Sequence, residues 1–207
     1  MITLRRLLSW YRPDMETVAR HLDELGPAER TLQCLALGPR EQARLFEAAQ
    51  GFRALTLTDL VPAAAAPMEP VPHEGRNSLP AFRRFAKVFC RPDGPRSGDA
   101  RAAGADQREL WGYNRNPGLV STAVGPGYFI AREDDHGELV IDYDHVPPRK
   151  PAAWPPILPN SSRLSRFVYY RTQDYLRGVS SHVTIGRATR AGKIMDNWFV
   201  LCRQDPS

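Results

Sequence analysis

From residue 110 onward the chain is written as short runs of alternating apolar and polar residues divided by turn signals, with no helical segment between successive runs. This constrains the fold most. Parallel strands need crossovers of a dozen or more residues, usually helical, whereas antiparallel strands need only tight turns. Strands are expected at 119–123, 128–131, 138–146, 166–171, 182–190 and 198–204. In ELVIDYDHV, Leu139, Ile141, Tyr143 and His145 fall on one face and Val140, Asp142, Asp144 and Val146 on the other. Residues 191–197 read as a hairpin and 172–180 as a short helix or turn. Roughly six antiparallel strands in sequence imply a closed or nearly closed barrel.

The first fifty residues follow a helical period instead. Asp14 caps a helix with apolar positions Val18, Leu22 and Leu25, which Gly26-Pro27 stops. A second helix starts at Pro27. A third runs from Pro39 to the Gly51 stop, with Ala43, Leu45, Phe46 and Ala49 on its apolar face. Prolines make 55–72 an extended connector. Phe82, Phe85 and Phe89 recur at spacings of three and four, one helical face docked on the core. The Gly/Ala/Asp-rich run 93–109 reads as a flexible loop. The expected organisation is a helical segment with connector over 1–92, that loop, and a barrel over 110–207, all in one folding unit. The fold class is α+β: short N-terminal helices packed on a C-terminal antiparallel β-barrel.

Composition narrows the partners. Net charge is +5, but Arg5, Arg6, Arg40, Arg83, Arg84, Arg163, Arg177, Arg187 and Arg190 are scattered, so they read as a solvated surface and nucleic acid is not favoured. Cys34, Cys90 and Cys202 are odd in number and widely spaced, which suits buried thiols in a reducing cytoplasm. No CxxC or paired-histidine spacing suggests a metal site, and no apolar run approaches the ~20 residues of a membrane span.

The glycines of Gly125-Pro126-Gly127 precede Tyr-Phe-Ile-Ala rather than a helix, so they bend a sheet and cradle no phosphate. Of the histidines, His145 and His182 alternate in phase with apolar neighbours. Each is a hydrogen-bonded barrel residue, a general base, or a haem ligand inside the barrel. Asp142 and Asp144, about 7 Å apart along a strand, are the wet face of that strand, a cation site or an acid–base pair. Trp111, Tyr113, Asn114, Tyr128, Tyr143, Tyr169, His182 and Arg187 are the candidate ligand-binding residues, since rings with a few fixed polar groups line small-molecule sites and also fill small barrels. Asp174 and Arg177 form an ion pair that holds a turn, or serve as polar anchors.

Over residues 110–204 the chain resembles small bacterial lipocalin-like, or calycin-like, proteins. The resemblance is carried by Asp174, Arg177, Ile185, Gly186 and Ala188, then Phe199 and Leu201. Typical lipocalins carry Gly-x-Trp near the first strand; here Trp111-Gly112-Tyr113 is a loose reversal of it. The resemblance implies a barrel enclosing an apolar small molecule and supplies no catalytic residue. Three functions stand as expectations: binding of a small apolar or aromatic ligand; an isomerase, cyclase or hydrolase using His182 or His145 with Asp142; and a protein–protein adaptor presenting the helical segment and the Pro-rich loop at 147–159. The whole Pro-rich loop, 147–163, is expected to cross an open end or rim of the barrel.

Overall fold

A computed structural model describes residues 2–10, 12–80, 83–94, 108–116, 125–160 and 168–204. Eight antiparallel strands, each paired with its neighbours in sequence, close into a barrel: β1 (Val71–Asn77), β2 (Arg84–Cys90), β3 (Glu109–Arg115), β4 (Tyr128–Glu133), β5 (Leu139–Asp142), β6 (Thr172–Gly178), β7 (Val183–Arg190) and β8 (Lys193–Arg203). Closure comes from β1 pairing with β8, Gly75 opposite Leu201. It leaves no sheet edge exposed. The α+β architecture expected from the sequence is therefore present.

Helices α2 (Met15–Glu24), α3 (Pro27–Leu35) and α4 (Pro39–Ala48) follow the expected caps, and a short helix α1 (Leu4–Leu7), capped by Thr3, precedes them. The Asp14 carboxylate accepts from the Glu16 amide, and prolines open α3 and α4. Their apolar faces (Leu4, Leu8, Val18, Leu22, Leu45, Phe46) bury Val183, Ile185, Val200 and Cys202 on the outer face of β7 and β8. Arginines tie these layers together. Arg30 Nε and Nη2 donate to the Leu22 and Leu25 carbonyls at the end of α2. Arg76 and Arg177 reach from the barrel to the Leu35 and Phe46 carbonyls, each at 2.6 Å. These side chains satisfy helix-end carbonyls that otherwise lack partners, so the scattered arginines are more than a solvated surface. No helix among the described residues is long and apolar enough to cross a membrane.

Several elements differ from expectation. The barrel starts at Val71 and not at residue 110, because β1 comes from the end of the connector and β2 from the segment expected as helical. Residues 172–178 are strand β6, while Tyr169 and Tyr170 lie in the turn before it. β5 ends at Asp142, short of the expected 146. The expected strand at 119–123, Phe82, and residues 95–107 of the expected flexible loop lie outside the described residues. Helix α5 (Leu57–Leu60) plugs one end of the barrel. Leu60 and Val61 sit among Phe89, Leu110, Phe129, Leu139 and Leu201, and a His73 nitrogen lies 2.9 Å from the Leu60 carbonyl. The described part of the Pro-rich loop, 147–160, lies on the outer wall: Trp154 packs on Tyr113 and Tyr128, and Asn160 donates to the carbonyls of Tyr128 and Tyr143.

Gly125 and Gly127 do form a bend, at φ +83° and +53°. A Cβ on Gly125 would meet nothing within 4 Å, whereas one on Gly127 would lie 2.4 Å from the Tyr169 ring. Both Ala variants carry left-handed backbone strain, and only Gly127→Ala adds a clash. In urea titrations Gly127→Ala should cost more than Gly125→Ala by about 1–3 kcal/mol, the usual penalty for overpacking; equal costs would show that Tyr169 does not lie against this bend.

Candidate functional site

Inward positions alternate along each strand, and those of β2, β3 and β6 place Lys87, Asn114 and Asp174 inside the barrel, with Tyr143 joining them just past β5. Lys87 is 2% exposed and Asp174 5%. Lys87 Nζ lies 3.1 Å from Asp174 Oδ2 and 3.1 Å from Asn114 Oδ1, and it also donates to Tyr143 Oη. All three ammonium protons are thereby matched by acceptors. Asn114 Nδ2 donates to Tyr143 Oη and to the Gly127 carbonyl, at 3.0 and 3.2 Å. The glycine bend thus fixes the amide, and the amide helps fix the phenol. The ammonium also sits 5.0–5.6 Å from the ring centres of Phe85, Phe129, Tyr143 and Phe199, where ring quadrupoles favour a cation.

Burial draws Lys87 below the ordinary lysine pKa, and the Asp174 carboxylate opposes that shift. Burial pushes the Tyr143 phenol well above its ordinary value, and the charge of Asp174 pushes it the same way. Tyr169, stacked on Tyr143 at 5.1 Å, is pushed up to about 12, again mainly by burial. The phenols are therefore held as proton donors at neutral pH.

Beside this cluster lies a cavity of about 120 Å³. Lys87, Asn114, Tyr143 and Asp174 line one part, Phe85, Phe199, Tyr169 and Ala188 line another, and Asn77, Asn116, Thr172 and Asn197 add polar groups to the wall. Leu79 and Val168, 40% and 41% exposed, also border it and mark its rim. Among the described residues no histidine lines the cavity, so neither His145 nor His182 is placed to ligate a haem there.

Three of the candidate ligand-binding residues, Asn114, Tyr143 and Tyr169, meet at this cavity. The others do not. Trp111, Tyr113 and Tyr128 point outward and pack with Val88, Cys90 and Trp154 beneath the Pro-rich loop. Arg187 lies on the outer wall, over the Trp198 ring and 3.0 Å from Asp196. His182 sits in the β6–β7 turn beside Asp23 of α2, Nδ1 to Oδ1 at 3.9 Å. His145 does meet Asp142, Nδ1 to Oδ2 at 2.8 Å, but outside the barrel, and its side chain is 64% exposed. Asp142 also pairs with Arg132, and Asp144 accepts from the Arg171 amide, so both carboxylates organise the chain after β5. Asp174 and Arg177 occupy opposite faces of β6: Asp174 pairs with Lys87, while Arg177 stacks on Phe46. The expected ion pair between them does not form.

Lys87 was not anticipated, although a signal was present. Phe85, Lys87 and Phe89 alternate, so one strand face carries a lysine between two phenylalanines. No family model, no curated protein and no solved structure matches the chain.

Removing one partner of a buried ion pair leaves the other uncompensated. Lys87→Met is expected to cost about 3–5 kcal/mol in a denaturant titration, and Lys87→Met with Asp174→Leu to recover most of it. A single variant of native stability would contradict the burial of the pair. The raised phenols give a second expectation. Their folded pKa values exceed the unfolded value near 10, so their contribution to stability is intact below about pH 10 and is lost as pH climbs toward 12. Lys87, shifted the other way, gains as pH approaches its unfolded value and cannot offset losses beyond it. Tm should fall steeply above about pH 10, and less steeply in Tyr143→Phe/Tyr169→Phe; the same alkaline loss in both proteins would refute this assignment.

Proposed function

We propose that the barrel binds a small uncharged molecule with one hydrogen-bonding end and an apolar or aromatic body. The observation that carries this reading is the cavity of about 120 Å³ with a fixed polar cluster in one part of its wall and aromatic side chains in another. An apolar cavity of roughly 150 Å³ holds a benzene-sized molecule, which sets the scale. The polar end meets Asn114, Tyr143 and Lys87, and the body meets Phe85, Phe199 and Tyr169. The ligand is uncharged because Lys87 already has Asp174 as its counter-ion, and a buried surplus charge is costly. The buried thiols Cys34, Cys90 and Cys202, none in a disulfide, support a reducing cytoplasmic setting.

Ala188 lines the cavity and is 3% exposed, so a larger side chain there fills the space from the wall. Saturation-transfer NMR with benzyl alcohol and benzamide should detect binding to the native protein. Ala188→Leu should weaken it by about tenfold or more, equivalent to 1.4 kcal/mol. Equal binding by the two proteins would place the ligand elsewhere and end this reading.

A further inference from the structure

Only three of the 28 basic residues are lysines, Lys87, Lys150 and Lys193; the other 25 are arginines. Arginine is this chain's ordinary means of holding an acceptor: Arg30, Arg44, Arg76, Arg177 and Arg203 each donate to a main-chain carbonyl. A guanidinium would also grip the Asp174 carboxylate through two parallel bonds, and would stay charged while doing so. At the most enclosed basic position among the described residues the chain instead carries lysine, a cation that can lose its proton and offer a lone pair. Desolvated lysines next to apolar groups are the ones that act as nucleophiles toward carbonyls. Lys87 Nζ borders the cavity, a carboxylate lies 3.1 Å away to take a proton, and a phenol is in contact with it to give one.

From this arrangement, and resting on the reading of the cavity as a small-molecule site, we propose that Lys87 condenses with the carbonyl carbon of a small aldehyde to form an iminium linkage paired with the Asp174 carboxylate. Lys87 first passes one proton to Asp174 Oδ2. Its lone pair then forms the N–C bond while the C=O π pair moves to oxygen, which takes a proton from Tyr143 Oη. The attacking nitrogen, now carrying an excess proton, returns it to the phenolate, leaving a neutral carbinolamine. The proton stored on Asp174 then departs with the carbinolamine hydroxyl as water, and the nitrogen lone pair closes the C=N bond. In sum, one aldehyde and one lysine ammonium give one protonated imine and one water. Charge is conserved, and nothing is oxidised or reduced.

The surroundings favour each stage. Burial draws Lys87 below its ordinary pKa, which eases the proton transfer to Asp174, and pushes the Tyr143 phenol up, so that it keeps the proton it is to give. Phe85, Phe129 and Phe199 face the iminium cation as they face the ammonium. Exclusion of bulk water slows the reverse hydrolysis. A carboxylate ligand has no such complement, because Asp174 already neutralises the amine.

The full chain is incubated at neutral pH with propanal and sodium cyanoborohydride, which reduces an iminium to a stable secondary amine. Intact mass and peptide mapping then locate the label. One propyl group on Lys87, more than on Lys150 and Lys193 together, is the expected result. Ala188→Leu should lose the Lys87 label and keep any on the other two lysines. Tyr143→Phe should slow labelling at Lys87 without moving it, which a purely structural phenol would not do. Absence of label at Lys87 overturns the proposal, as does labelling there that Ala188→Leu leaves unchanged. Saturation-transfer NMR with 1-propanol, which has no carbonyl, separates the two readings. If 1-propanol binds and Lys87 stays unlabelled, the imine falls and the cavity stands; if neither occurs, both fall.

Discussion

An ammonium and a carboxylate 3.1 Å apart inside a barrel of phenylalanines set the terms for everything around them. Bringing two charges out of water costs several kcal/mol per ion, and their attraction repays this only when the remaining protons and lone pairs are also matched. The barrel meets that demand with parts drawn from distant places in the chain. Asn114 comes from β3, Tyr143 from the end of β5 and Asp174 from β6, and all converge on Lys87 of β2. Closure of the sheet is what brings them together, since β2 and β6 are not neighbours on the wall. The Gly125-Pro126-Gly127 bend belongs to the same arrangement. Its carbonyls accept from the Asn114 main chain and side chain, and its missing Cβ leaves room for Tyr169.

Basic residues serve two places in the fold. Arginines stitch helices and loops to the outer surface of the barrel by donating to main-chain carbonyls, which suits a group that stays charged and fans out several donors. Of the three lysines, Lys87 lies inside the barrel, as the proposed imine requires, whereas Lys150 donates to the Trp154 carbonyl on the outside as the arginines do. The outer layers matter to the interior for a mechanical reason. With α1–α4 packed on β7 and β8 and the Pro-rich loop packed on β3 and β4, much of the wall is held from both sides, and the inward side chains are held with it.

Much of this architecture was legible in the sequence, and its failures are physical. Caps and stops at Asp14, Gly26-Pro27 and Gly38-Pro39 mark the helices, and alternation marks β5, β7 and β8. β1 is hidden because only Val71 of its inward residues is a strong strand former, while His73, Gly75 and Asn77 are not. β2 was mistaken for a helix because Phe82, Phe85 and Phe89 mimic a helical period while the true period-two set contains a lysine. β6 failed for the matching reason: its inward residues include Asp174. Alternation assigns charge to the wet face, so the ion pair at the candidate site erased the pattern of the strands that carry it. Trp111, Tyr113 and Tyr128 misled for another reason. The loop over β3 and β4 buries their outer face, and an aromatic inventory cannot tell one side of a wall covered on both faces from the other. Asn114, Tyr143 and Tyr169 were picked out on the same grounds, and they are the ones that reach the cavity.

The enclosure of Lys87 with Asp174 and Tyr143 inside the barrel can be measured directly. With three lysines in the chain, selective ¹³C labelling of the lysine ε-carbons gives a spectrum of few signals, and Lys87→Met assigns the one that matters. This signal should titrate below the ordinary lysine value of about 10.4 and show nuclear Overhauser contacts to the rings of Tyr143 and Phe199. A Lys87 that titrates at the ordinary value, without ring contacts, would contradict that enclosure.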